Sequence, residues 1–397
     1  VSQAPRRLPR ILFLVQSYPP AFGGGGLHLA WVRQAITRLG FSSRVITGNR
    51  GLTDSEPDVL RLPTPGGESY PRLGSYVFAL LSPIALWLQR QHYDVIQTMG
   101  SAHYVYGGIV AGRLLGKPVV VSSVMNRGDD PQGLLEQRFG RLKNLVFSLA
   151  ARFICCSGLQ LESYREARYP EARVLFIPNG ADADRFFPSP SGEARRSLRQ
   201  ELGIHPEEFV AVCVGAIIDR KGIDLLIDAW IRFRGRHDRG TLILVGPDRS
   251  SDQGSGVDDR FVQEMRDRLA TAGLSATVRF TGKVSNVADY FRAGDVFVLM
   301  SRGEGFPIAI LEALISGLPV LLWDLPDYRG YDLVHEVQGY LLPPFDVQRL
   351  ADTLARLADD PAGRRRMGEQ ARRLGTQFTL ERSMAEYAEV YRGLARP

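Results

Sequence analysis

Short β-branched runs alternating with longer amphipathic ones, twice over, constrain this chain more than any other feature. In the first half, the strand candidates are the short β-branched runs at 11–16, 43–47, 94–97, 118–123, 152–156 and 173–177. Helical patterns lie among them at 27–39, 104–115 and 132–150. The second half repeats the scheme. Strands at 209–214, 241–245, 277–280, 295–300 and 319–322 alternate with helices near 222–234, 258–272 and 307–316. Such alternation predicts parallel sheets covered by helices. Between the halves, IPNGADADRFFPSPSG (177–192) has the Pro, Gly, Asp and Ser content of a linker. The stretch 346–394 reads as helices without strands. The expected fold is therefore α/β, with two Rossmann-like doubly wound parallel-sheet domains facing a cleft. Ligands in such sheets bind at the carboxyl ends of strands.

Charge is distributed unevenly. Residues 1–180 hold 20 Lys and Arg against 11 Asp and Glu, a net of +9, whereas the remainder is at −3 within a whole-chain net of +6. A basic half favours an anionic partner, such as an acidic membrane surface or a phosphorylated acceptor. A solvated Arg-rich surface accounts for it equally. Nucleic acid is disfavoured because no recognisable binding module or basic–aromatic stripe is present. Cys155, Cys156 and Cys213 sit in apolar runs without metal-ligand spacing, which fits a reducing compartment. Nothing at the N-terminus resembles a signal peptide, and a cytoplasmic location is expected. The apolar run YVFALLSPIALWL (76–88) is too short to span a bilayer. It reads as a core helix or an interfacial one; flanked by Arg72 and Arg90, it is the candidate for peripheral contact with the inner face of an anionic membrane.

Chemistry concentrates in SRGEGFPIAILEALISGLPV (301–320), which follows the strand pattern DVFVLM. Glu304 lies in a Gly-flanked loop. Glu312 lies in an apolar helical stretch that Pro307 is suited to open. The free N–H groups at a helix start, with the positive end of its dipole, suit a phosphate or a polar sugar. Two carboxylates beside them would accept from hydroxyls. A helical Glu is usually solvated, but Glu312 between Leu311 and Ala313 would need a polar partner if buried.

Two further segments follow strands. GAIIDRKGIDLL (215–226) places Arg220 and Lys221 where a strand has ended and a helix is about to begin. Two cations there suit a diphosphate; a solvent-exposed basic turn is the competing explanation. The run Gly23–Gly26 precedes a helix and would let backbone approach an anion. A dinucleotide fingerprint starting at Gly23 would need glycine at position 28, which is His28, and the second strand lacks a ribose-binding acid. A nicotinamide oxidoreductase is thereby disfavoured, and no Walker A loop occurs. His28 and His103 read as structural or surface residues.

Together these segments resemble the retaining GT-B glycosyltransferases of family 4 (glycosyltransferase group 1). The matches are YPPAFGGGGLH with Gly40, IPNGADADRF (177–186), VGAIIDRKG (214–222), VRFTGKVSN (278–286) and the E-x7-E stretch running into GLPV. The resemblance implies an acceptor-side domain over 1–180, a donor-binding domain over 181–377, and a last helix, about 378–397, packing back on the first. Gly24 and Gly25 would lie in the loop approaching the donor phosphate. Arg220 and Lys221 would neutralise the departing diphosphate. Glu304, with backbone N–H groups of Gly305, Phe306 and Ile308, would hold the transferred sugar. Glu312 would accept from ribose hydroxyls, and Val284 would lie near the base. The donor would be a nucleoside diphosphate sugar, with no metal or other cofactor required. The acceptor would be a hydroxyl of a glycan, a lipid-linked or polysaccharide precursor, or a small molecule. Ala216 stands where the family commonly has Arg, and Pro307 where Gly is commonest. A non-catalytic nucleotide-sugar binding module, or an epimerase or phosphorylase of the same fold, is the alternative.

Overall fold

The computed structural model describes residues 7–19, 24–48, 56–64, 71–252 and 255–394. It divides into two compact units, Val1–Pro178 with Glu381–Pro397, and Asn179–Leu380.

The first unit runs β1 (Ile11–Leu14), α1 (Gly24–Arg38), β2 (Ser43–Thr47), β3 (Val59–Arg61), α2 (Pro71–Leu88), β4 (Val95–Met99), α3 (His103–Leu114), β5 (Val119–Ser122), α4 (Pro131–Leu135), α5 (Gly140–Phe147), β6 (Arg152–Cys155), α6 (Gly158–Glu166) and β7 (Val174–Phe176). Its seven strands order as β3-β2-β1-β4-β5-β6-β7, all parallel. The central strands β1 and β4 are buried along their whole length. Burial on both faces makes β1 an unbroken apolar run, whereas β4 carries buried Gln97 and Thr98, whose side chains donate to Ser122 at 2.9 Å and to the Leu14 carbonyl at 3.1 Å. The pattern at 132–150 forms two helices, not one. Phe139 between them adopts φ 60°, a left-handed conformation that ends one helical segment before the next begins. Strand β3 was not legible, because three half-exposed edge residues carry little periodicity.

The second unit continues with α7 (Gly192–Glu201), β8 (Val210–Val214), α8 (Ile223–Arg234), β9 (Thr241–Val245), α9 (Asp259–Thr271), β10 (Val278–Phe280), α10 (Val287–Ala293), β11 (Val296–Leu299), α11 (Ile308–Ile315), β12 (Val320–Trp323), β13 (Gly339–Leu342), α12 (Val347–Asp359) and α13 (Pro361–Gly375). Six parallel strands order as β10-β9-β8-β11-β12-β13. The order reverses between β8 and β11, where Ala211 pairs with Val296. This is the switch point at which helices leave to opposite sides and a crevice opens beyond the strand ends. At the other end of the same strands, buried Asp295 takes 2.7 and 2.8 Å bonds from Arg199 and Arg195 and 2.8 Å from the Val210 amide. That cluster fastens α7 to the sheet and leaves the carboxyl ends open for chemistry.

The final helix, α14 (Leu380–Leu394), belongs almost wholly to the first unit. It lies against α1 and the central strands: Tyr391 donates to Gln97 at 3.1 Å and the Tyr387 hydroxyl meets Ser122 at 3.2 Å. His28 of α1 faces Tyr387 with ring centroids 6.5 Å apart. Burial lowers the His28 pKa to about 4, so it is a neutral core histidine near pH 7.

Candidate functional site

The site lies in the second unit, where β8 and β11 end side by side. Beyond β8 the chain turns through Arg220 and Lys221 into α8. The residue between, Gly222, has φ 63°, and a Cβ there would sit 1.9 Å from the Met300 carbonyl oxygen. Only glycine permits both the left-handed turn and that approach. The turn is tied to the loop after β11 by the Arg302 amide, which donates to the Arg220 carbonyl at 2.8 Å. The Arg302 guanidinium also grips Asp224 at 2.9 and 2.6 Å in fork fashion.

This frame aims two cations at one carboxylate. Lys221 Nζ donates to Glu304 Oε1 at 2.6 Å, and Arg220 Nη1 to Oε2 at 3.0 Å and to the Gly303 carbonyl at 2.9 Å. Ser301 donates to Glu304 Oε1 at 2.6 Å, and the Glu304 amide donates to Asp327 Oδ1 at 3.2 Å. Glu304 is only 6% exposed. Burial alone would raise its pKa, but Lys221 and Arg220 outweigh that and hold the carboxyl below its ordinary value. An ionised acceptor thus sits at the switch point with its countercharges already in place.

The start of α11 forms the next wall. Pro307 is the residue preceding the helix, and the first helical residue is Ile308. Gly305 and Phe306 lead into it, with the Phe306 ring stacked on Tyr331 at 3.8 Å between centroids. Tyr331 donates to the Pro307 carbonyl at 2.9 Å, and Asn179 donates to the Phe306 carbonyl at 3.0 Å. With their carbonyls so held, residues 305–308 are fixed against the turn carrying Glu304. The Tyr328 hydroxyl, buried nearby, has no hydrogen-bond partner among the described residues. Burial, with the fields of Glu304 and Asp327, raises its pKa well above the ordinary tyrosine value.

Glu312 belongs to a second cluster. It lies one turn along α11 from Ile308 and is 9% exposed. Burial raises its pKa to about 7, against a smaller lowering field from Arg185. Arg185 in turn donates to the Ser285 carbonyl at 2.6 Å, beside half-buried Val284. The fold therefore brings Glu304, Arg220 and Lys221 into one contact set, and relates Glu312 to the Val284 loop through Arg185. Gly24 and Gly25 depart from the expectation. Both are the opening residues of α1 rather than part of a loop, while residues 20–23 lie outside the described set.

Sequence reasoning missed Ser301, Asp327, Asn179 and Arg185. Asn179 and Arg185 stood inside the matched IPNGADADRF segment and were legible as members of it. Ser301 stood three residues before Glu304, at the head of the same stretch, and was legible as its neighbour. Asp327 had no signal, since its contact with the Glu304 amide spans 23 positions and depends on the fold. Among the described residues, no group of three or more His, Cys, Asp or Glu side chains is placed to hold a metal.

A doubly wound domain with an ionised carboxylate, two cations and a helix start at its switch point presents an acceptor for hydroxyls beside positive charge that attracts anions. Comparisons with known proteins give the family and the fold. The profile for "Glycosyltransferase Family 4" matches residues 22–185, and that for "Glycosyl transferases group 1" matches 194–374. The chain belongs to this family of GT-B glycosyltransferases. It is 30% identical over 239 residues to the lipopolysaccharide core biosynthesis mannosyltransferase LpsB of Rhizobium meliloti, covering 59% of this chain and 65% of that one. It is 29% identical over 248 residues to a GDP-mannose-dependent alpha-(1-6)-phosphatidylinositol monomannoside mannosyltransferase of Mycobacterium tuberculosis, covering 59% and 60%. The alignments thus span about 60–65% of the length of these relatives. Among solved structures, sucrose-phosphate synthase from Thermosynechococcus elongatus superposes with a TM-score of 0.78 at 22% identity, over 97% of this chain and 99% of that one. Anabaena HepE in complex with UDP-glucose gives 0.76 at 22%, over 97% and 100%. At such identities the structural likeness speaks for the GT-B fold alone.

Proposed function

We propose that the protein is a retaining glycosyltransferase that moves a sugar, a hexose as the leading class, from a nucleoside diphosphate to an acceptor hydroxyl. The observation that carries this reading is the Glu304 carboxylate held by Lys221 and Arg220 at the β8–β11 switch point. Glu304 and the N–H groups of residues 305–308 hold the hydroxyls of the transferred sugar. Arg220 and Lys221, freed in part from Glu304, turn to the diphosphate. Glu312 accepts from the ribose, and Val284 bounds the base. The second unit is thus the donor domain, and the first shapes the acceptor site, including the segment that opens α1 at Gly24 and Gly25.

In the reaction the bond from the sugar's anomeric carbon to the diphosphate oxygen breaks. The acceptor oxygen bonds to the same carbon on the same face, and its proton passes to the departing phosphate. No protein nucleophile takes part. Negative charge grows on the diphosphate, and preplaced cations stabilise that growth more than they stabilise the bound donor. Cations and backbone amides meet that charge without a required metal. Relatives named as acting in lipopolysaccharide core and phosphatidylinositol mannoside synthesis support a lipid-linked or polysaccharide precursor as acceptor.

A thermal-shift screen over UDP-, GDP- and ADP-sugars tests the donor. A true donor at about one hundred times its Kd adds roughly 2.7 kcal/mol to apparent stability. Glu304→Gln should keep the melting temperature within a few degrees and abolish transfer. Absence of any nucleotide-sugar shift, or full transfer by Glu304→Gln, overturns the reading.

A further inference from the structure

Three neighbouring helices of the first unit present apolar side chains to solvent. On α2, exposed Leu80, Ile84, Trp87 and Leu88 recur at helical spacing, with Leu80 at 73%. On α3, Leu114 is 81% exposed and Val110 lies one turn before it. On α5, Leu142 and Leu145 are 61% and 63% exposed. The topology puts these helices side by side. Right-handed crossovers from β3 to β4, β4 to β5 and β5 to β6 place α2, α3 and α5 on one face of the sheet. Gly107 on α3 lies against Pro83 on α2, and α3 packs against α5 on its other flank. The helices of the opposite face, α1 and α14, cover each other through His28 and Tyr387. Apolar surface spread over three adjacent helices exceeds the scattered single side chains of an ordinary surface.

The helices of this face carry charge of one sign. None of α2, α3 and α5 contains Asp or Glu. The Arg90 guanidinium lies 4.5 Å from the Trp87 ring, and that of Arg138 lies 5.0 Å from the Phe139 ring. Each pairs an exposed aromatic with a cation at a margin of the face. Where α3 and α5 end, a cavity of about 600 Å³ is lined by Arg113, Arg152 and Arg173 with Leu149. Among the described residues none of these three arginines is in an ion pair. The cavity's fourth cation, Lys117, lies 3.9 Å from Asp94.

We propose that the α2–α3–α5 face seats on an anionic lipid bilayer, its leucines and Trp87 entering the acyl boundary and its arginines meeting lipid phosphates. An apolar centre with aromatic–cation margins matches the gradient from acyl chain to headgroup. A second copy of the chain fits less well. A two-fold interface would set the arginine margins against each other, whereas anionic headgroups neutralise them. This inference is independent of the donor chemistry, which lies in the other unit.

The test is flotation of the full chain with two vesicle types, phosphatidylcholine alone and phosphatidylcholine with phosphatidylglycerol at about two to one, at low and high salt. The expected result is at least about tenfold tighter binding to the anionic vesicles, weakened by salt. Leu80→Glu with Leu145→Glu should lower that binding at least about tenfold, since both side chains are mostly exposed. Arg113→Ala with Arg152→Ala should leave apolar insertion intact and flatten the salt dependence. Circular dichroism and melting temperature serve as fold controls. Equal binding to both vesicle types, no binding, or wild-type binding by Leu80→Glu with Leu145→Glu overturns the proposal. So does a dimer in sedimentation velocity that Leu145→Glu dissociates while vesicle binding persists.

Discussion

Glu312→Gln separates stability from function at one buried atom pair. Burial raises the Glu312 carboxyl from an ordinary 4.5 to about 7. At about 1.4 kcal/mol per pKa unit, that gap corresponds to roughly 3 kcal/mol. The sign follows from proton linkage. Between about 4.5 and 7 the folded protein holds a proton that the unfolded chain has released, so stability falls as pH rises through that window. Below 4.5 both states are protonated and there is no penalty; above about 7 the penalty is fully present. Glutamine does not titrate. The variant should therefore resemble the wild type near pH 5 and exceed it near pH 8 by up to about 3 kcal/mol. For a unit of this size that is a rise of about 6 °C or more in melting temperature. The assay is paired thermal unfolding across pH, taken as the difference between variant and wild type so that other titrations cancel. The same variant should bind its nucleoside diphosphate sugar at least about tenfold more weakly, because an ionised acceptor to the ribose is lost. A ligand that stabilises the ionised form must also release a proton near pH 6.5, visible by calorimetry in buffers of differing ionisation enthalpy. A variant–wild-type difference that does not change with pH would refute the burial argument. Unchanged donor affinity would refute the ribose assignment.

Other consequences are as direct. Gly222→Ala forces a side chain against the Met300 carbonyl in a left-handed turn, and should cost on the order of 3 kcal/mol, read as a fall of about 6–12 °C in melting temperature; a near wild-type melt would show that the turn can relax. Lys221→Ala leaves the 6%-exposed Glu304 with one cation, so turnover should drop by orders of magnitude while binding of the free monosaccharide changes little. Arg220→Ala should follow the same pattern more mildly, because Arg220 is the more exposed partner at 42% against 14% for Lys221; equal rates for wild type and both variants would remove the diphosphate role.

The sheet strands with fully buried faces were legible because burial on both sides imposes unbroken apolar runs, as in ILFL and VAVCV. Edge strands β3 and β13 escaped notice: one is three residues long, and the other opens on Gly339. Glu304 and Glu312 were visible from their spacing on one strand–loop–helix unit, and Arg220 with Lys221 from their place at a strand end. Local order along the chain carries that information. That Lys221 and Arg220 close on Glu304 at 2.6 and 3.0 Å was not visible, since those residues are more than 80 positions apart. Their meeting depends on β8 and β11 becoming neighbours at the reversal of strand order. The basic excess of the first half was plain in composition. That three helices without a single carboxylate share one face was decided only when crossovers of one hand stacked α2, α3 and α5 on the same side of a sheet. A linear pattern can specify which side of a helix is apolar, but whether that side is buried depends on what the rest of the chain places over it.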